Sequence, residues 1–378
     1  MSDDLKRATV RIGPTTMVNL PVGAEGAEPL EARQLVRNEF AMVPTEGLAG
    51  FLLDQKISLV TTTYHTGRLL LIGLNASNEL IFTTRMFERA MGLCVTRDQL
   101  HLATSNTIWH FRNPLNAGQK LGDYDAMYSP RTCHVTGLLD IHDMIVEKDG
   151  RLVFVNTAFS CIATTADGYS FRPVWTPPWI SRLVPEDRCH LNGLCARDGV
   201  ARYVTAVARS DGKEQWRANR ATSGVLWDLV ENRAMLEGLC MPHSPRWING
   251  QLYFLNAGTG YLCRADINSG KFEDVAFCSG FVRGMAVHGN HAFVGISDMR
   301  ANRTFSDLPL EKNLKQHNTA PYCAILVINL STGAIDHQLR FEGQINELYD
   351  VAVIEGVRQP QAIGFQRDEI NYFVEIAN

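Results

Sequence analysis

The chain has 378 residues, of which 45% are hydrophobic and 20% charged, and its formal net charge is -4. That is ample material for a core, and the near balance of charge argues against a nucleic-acid partner. No run approaches the roughly 18 apolar residues that cross a bilayer, and the opening MSDDLKRATVRIG holds no apolar leader, so no membrane partner is expected. The nine cysteines are odd in number, form no C-x-x-C pair and sit mostly in apolar runs such as GLCV and YLCR. Such usage points to buried, reduced thiols and a cytoplasmic protein.

Residues 1–46 carry no repeat. They hold a possible strand, Ala8-TVRI, a Gly/Pro/Glu-rich passage, Pro21-VGAEGAEP, and a mildly helical segment, Leu30-EARQLVRNEF. From 47 to 378 a unit of two short apolar runs joined by a turn recurs, with copies opening at Ala49, Met91, His142, Asn192, Ser244, Arg283 and Tyr349. Spacing of roughly 40 to 50 residues with four short strands per repeat is the mark of a propeller blade. The first blade is expected from Phe51–Leu53, Ile57–Thr63, Arg68–Leu74 and Leu80–Arg85, and the third from His142–Val146, Arg151–Val155, Phe159–Thr164 and Phe171–Trp175. The last copy offers only Asp350–Ile354, Ala362–Phe365 and Tyr372–Ile376. The expectation is a single all-β, seven-bladed β-propeller occupying 47–378, its ring closed by the N-terminal strand. Six blades is the alternative, if the first copy is the tail of the last blade. Weak alternation within the strands fits sheets buried on both faces.

A propeller brings equivalent positions of every blade to one axis, so residues far apart in sequence become neighbours. The connections entering each first strand and the turns between second and third strands share one face. On that face the sequence places His142, His190, His243, His65, Asp140 and Glu347, which suit a divalent transition metal such as iron, copper, zinc or manganese. The same set suits general acid–base chemistry without a metal. Arg283, the only cation among the openers, could hold a substrate carboxylate or phosphate, and Tyr349 could donate a proton. Asn192, Ser244, Asn106, Asn156, Asn256 and Arg246 are further expected substrate contacts. His101, His110, His288, His291 and His337 lie away from the mouth and are read as structural. Two irregular insertions, Arg209-SDGKEQWRANRA and Asp298-MRANRTFSDLPLEKNLKQHNTAP, fall on the same face. Long excursions of this kind are usually lids or binding loops.

The strings Trp175-TPPWISRLVPEDRCHLNGLC and Met241-PHSPRWINGQLYFLNAGTGYL resemble the hallmark segments of an uncharacterised bacterial β-propeller family, a domain of unknown function. The resemblance covers most of 35–370 and implies fold and membership but no activity. The expected function is an enzyme with a histidine and carboxylate site, metal-dependent, acting on a small polar or peptide substrate. The alternatives are a non-haem iron or copper oxidoreductase, and a non-catalytic propeller that binds a peptide or protein partner through a rim of Trp179, Trp216 and Arg217.

Overall fold

The computed structural model describes residues 7–10, 18–21, 40–298, 307–365 and 368–376. Most of the helical segment read at Leu30 and part of the second insertion lie outside them. The described chain forms six antiparallel blades and one separate hairpin. Blade 2 is built from Leu93–Val95, Gln99–Ala103, Thr107–Arg112 and Ala126–Val135, and blade 3 from Ile141–Val146, Leu152–Asn156, Cys161–Ala166 and Tyr169–Trp175. Blade 4 comprises Leu191–Arg197, Val200–Ala206, Gly224–Asp228 and Arg233–Leu239. Blade 5 comprises Pro242–Ile248, Gln251–Asn256, Tyr261–Asp266 and Lys271–Phe277. Blade 6 uses Phe281–His288, His291–Ser297, Cys323–Asn329 and Ile335–Gly343, with Phe40–Pro44 added antiparallel along its outer edge. The innermost strands touch in one closed cycle.

Ring closure corrects the sequence expectation. The innermost strand of blade 1 is Val351–Glu355, which pairs with Ile57–Thr63, followed by Arg68–Leu74 and Leu80–Met86. The first and seventh copies are therefore two parts of one blade, and the count is six. The segment expected to open the first blade, Phe51–Leu53, lies instead in a helix, Leu48–Gln55. Leu48 and Leu52, four residues apart, are both fully buried, which is the helical period and not the alternating one. The expected closing strand near Ala8 does not join the ring: Arg7–Val10 pairs with Val18–Pro21 in the hairpin. The final strands expected at Ala362–Phe365 and Tyr372–Ile376 are replaced by Pro360–Ala362, parallel to the outer strand of blade 2, and a short turn of helix at Asp368–Tyr372.

Apolar clusters fill each gap between blades, which is why Ile57–Thr63 is buried at every position while the outer strand Tyr169–Trp175 is largely exposed. Within blade 2, His101 and His110 stack across neighbouring strands, with ring centroids 4.6 Å apart. Burial, reinforced by the neighbouring imidazole, pulls His101 down to about 4, and burial also lowers His110. A native value below the unfolded one means the unfolded chain binds more protons, so this pair stabilises the fold above about pH 6.5 and loses that contribution as pH falls toward 4. A His101→Gln variant is expected to show a shallower acid limb in urea unfolding between pH 6.5 and 4; an unchanged slope would refute this origin.

One layer further down the inner strands, a buried ion network ties all six blades together. Asp143 of blade 3 accepts from Leu194 N of blade 4 (3.0 Å) and from Arg246 Nη1 of blade 5 (2.9 Å). Arg246 Nε donates to Met285 O of blade 6 (2.7 Å). Asp350, which leads into blade 1, accepts from Leu93 N of blade 2 (2.8 Å) and from Val351 N (2.8 Å). Burial, with Asp143 beside it and against the pull of Arg246, raises Asp350 to about 7.

Candidate functional site

Three consecutive blades enter the axis in one register. Ile141 pairs with Asn156, Leu191 with Ala206 and Pro242 with Asn256, so His142, Asn192 and His243 are the equivalent positions. Ser244, expected as the equivalent of His142 and Asn192, stands one residue further along. Two residues before these positions stand Asp140, His190 and Met241, all in the left-handed region with φ of 54°, 49° and 49°. Side-chain-bearing residues avoid this region, and clusters of them are typical of functional sites.

The eight residues assigned catalytic or metal-binding roles from sequence, His142, His190, Arg283, Tyr349, His243, Glu347, Asp140 and His65, all line one axial cavity of about 360 Å³. That volume falls within the usual range for a small-molecule site. Tyr64, Arg89, Asp187, Glu186, Lys213 and Phe281, none of them expected from the sequence, are also in the lining.

The three imidazoles differ in what they offer. His142 Nδ1 lies 2.9 Å from Asp140 O and 2.9 Å from Thr157 Oγ1, whose own hydroxyl donates to Leu191 O (2.6 Å). A carbonyl only accepts, so Nδ1 carries the hydrogen and Nε2 the lone pair. His243 Nδ1 donates likewise to Met241 O (2.9 Å), while its Nε2 accepts from Asn192 Nδ2 (3.2 Å). Thr205 fixes that amide by donating to Asn192 Oδ1 (2.7 Å). Burial first, then the Arg283 charge, hold His142 and His243 well below the ordinary imidazole range, so both are neutral at pH 7.

His190 is placed differently. Its Nδ1 donates to Asp187 Oδ2 (2.8 Å), and Trp216 Nε1 donates to the same oxygen (2.9 Å). The His190 ring stacks on the Trp216 indole, centroids 4.2 Å apart, and meets the His142 ring edge-on at 4.9 Å. Asp187, like His190, has positive φ, at 43°. A carboxylate holding Nδ1–H fixes the tautomer and leaves the lone pair on Nε2, as in the Ser-His-Asp triad. The spacing D-x-x-H in Pro185-EDRCH carried this signal, but only a folded passage brings the two side chains together.

Arg283 lies over the Tyr349 ring, 3.6 Å from its centroid, with Nη1 3.6 Å from Glu347 Oε1. Glu347 Oε2 sits 2.5 Å from His65 Nδ1. Tyr349 stacks on Tyr64 (5.6 Å), and burial raises its hydroxyl well above the usual phenol value, so it stays protonated. Burial also raises Asp140.

The residues expected to contact substrate lie outside this lining. Arg246 belongs to the ion network below. Asn156 Oδ1 accepts from Phe159 N (3.1 Å), Asn256 Oδ1 from Cys240 N (2.8 Å) and Ser244 Oγ from Gly284 N (3.2 Å). Asn192 orients His243, and Asn106 is exposed at its turn. The expected aromatic rim changes too: Trp216 is 1% exposed, beneath His190, and Trp179 packs edge-on against Trp227. Among the described residues, no three His, Cys, Asp or Glu side chains are grouped to hold a metal ion. His243 Nε2 is occupied by Asn192 Nδ2, and His65 Nδ1 by Glu347.

Fold and site together define a six-bladed β-propeller with an axial cavity lined by histidines, carboxylates and arginines. Residues 46–363 match the family described as "Domain of unknown function (DUF4915)", and the chain belongs to that family. No curated protein matches it. Among solved structures it is similar to a chain of a nidogen/laminin complex, at 11% identity over 79% of this chain and 99% of that one, with a TM-score of 0.48. It is also similar to a protein of unknown function from Bacteroides caccae, at 10% identity over 79% of this chain and 98% of that one, TM-score 0.48. All nine cysteines are free, and among the described residues no helix is long and apolar enough to cross a membrane.

Proposed function

We propose that the protein is a cytoplasmic enzyme that catalyses proton transfer on a small, polar, anionic substrate in the axial cavity. The observation that carries this reading is the Asp187–His190 pair, an imidazole with its tautomer set by a carboxylate at the mouth of a cavity of ligand size. His190 Nε2 is the base, neutral His142 faces it as the second proton carrier, and the Tyr349 phenol remains a hydrogen-bond donor. Arg283 supports an anionic substrate group, since its contact to Glu347 at 3.6 Å is too long for a good charged hydrogen bond and leaves the guanidinium available. Lyase, isomerase and hydrolase chemistry all begin with such a proton transfer.

The test is a turnover screen over small carboxylates, phosphates and short peptides, repeated with Arg283→Gln. For an active compound the variant is expected to raise KM about tenfold or more, the loss of one charged contact, with a smaller change in kcat. An active compound whose KM ignores Arg283→Gln, or turnover confined to cationic compounds, would overturn the assignment of the anionic subsite.

A further inference from the structure

The second-to-third-strand loop of blade 4, residues 207–223, folds back over the passage that delivers His190. Asp211 Oδ1 accepts from Arg188 Nη1 (2.6 Å) and from Ser181 N (3.1 Å), and Glu214 N donates to Glu186 O (3.0 Å). These contacts seat Trp216 so that one side chain touches both members of the catalytic pair. Its Nε1–H reaches the Asp187 oxygen that holds His190, and its ring lies flat against the imidazole at 30°. A residue needed only to fill space requires neither contact. Both of the carboxylate's hydrogen bonds are made at Oδ2, whereas the buried Asp187 Oδ1 has no hydrogen-bond partner among the described residues. The indole face blocks rotation of the imidazole.

We infer that Trp216 is a positioning residue: it fixes the Asp187 carboxylate and the His190 ring so that Nδ1 keeps the proton and Nε2 faces the cavity. This rests on the acid–base reading of the pair. It also makes the reactivity of His190 depend on the seating of a loop from another part of the chain, because displacing 207–223 removes the hydrogen bond and the stack together.

The experiment compares wild type, Trp216→Phe and Asp187→Asn by 15N NMR of the His190 ring and by the rate at which diethyl pyrocarbonate acylates His190. Wild type is expected in the Nδ1–H tautomer. Trp216→Phe keeps a ring but loses the donor, and is expected to give mixed tautomers and acylation about tenfold slower, as for outer-shell partners of other functional histidines. If Asp187→Asn shifts both readouts and Trp216→Phe shifts neither, Trp216 does not position the pair and only this inference fails. If neither variant shifts them, the acid–base reading of the pair fails as well. A third measurement needs no change at Trp216. In protein labelled with 5-fluorotryptophan, one 19F resonance is expected to shift between the wild-type and His190→Gln proteins, because the Trp216 ring stacks on that imidazole; an unshifted spectrum overturns the contact on which the inference depends.

Discussion

Replacing His190 by alanine is expected to reduce kcat/KM by roughly 10²- to 10⁴-fold, the usual contribution of a general base. Asp187→Asn should approach the same loss with the fold intact. The amide oxygen can still accept from His190 Nδ1 and Trp216 Nε1, but it carries no charge to stabilise the imidazolium that forms when Nε2 takes a proton; in serine hydrolases the corresponding exchange costs about 10⁴. The double variant should be little worse than either single one, because the two residues act as a unit. His142→Gln is expected to cost less than His190→Ala, since burial and Arg283 keep His142 a weak base. Steady-state kinetics on the compound found by the screen, with circular dichroism to confirm folding, decide this. Equal activity of Asp187→Asn and wild type would remove Asp187 from the mechanism.

The largest stability effect is expected from Arg246→Ala. The arginine is the cation that neutralises Asp143 and Asp350 at a point where all six blades meet. Removing it leaves buried carboxylates without a counter-charge, a change that costs about 3–5 kcal/mol in comparable sites. The pH dependence separates this from a simple packing loss. Asp350 has its native value raised to about 7 against roughly 3.9 unfolded, so the native state binds the extra proton and stability declines as pH climbs between those values. Without Arg246 the carboxyl is still easier to protonate, so the Arg246→Ala deficit should shrink as pH falls from 8 to 5. Combining it with Asp143→Asn and Asp350→Asn should recover part of the loss. Urea unfolding at the two pH values provides the check; a deficit equal at both would mean that packing, not charge, dominates.

These two clusters also show how far the sequence could be read. The repeat and the chemistry of its mouth were legible, because strands announce themselves through short apolar runs and because His142 and His243 stand at matching positions of those runs, with His190 two residues before the matching position of its own. The count of blades was not, since Ala49-GFLL has the composition of a strand and becomes a helix only because Leu48 and Leu52 bury the same face. The position of Ser244 slipped by one residue because the inner strands carry irregular pairing just inside the mouth, between His243 and Arg246 and between Ile141 and Met144. Asparagines at turn positions suggested ligand contacts, yet the buried ones satisfy backbone N–H groups, which a linear sequence does not distinguish. The Asp187–Trp216 contact joins residues 29 apart and exists only because the 207–223 loop folds back.

The central question is whether His190 performs chemistry in the axial cavity. The most direct measurement is kcat and substrate Kd, side by side, for wild type and His190→Gln on a small anionic substrate. The expected result is a loss of kcat of at least about 10² with Kd changed less than tenfold. A His190→Gln protein that turns over at the wild-type rate would contradict it, as would ligands that bind the cavity tightly while none is converted.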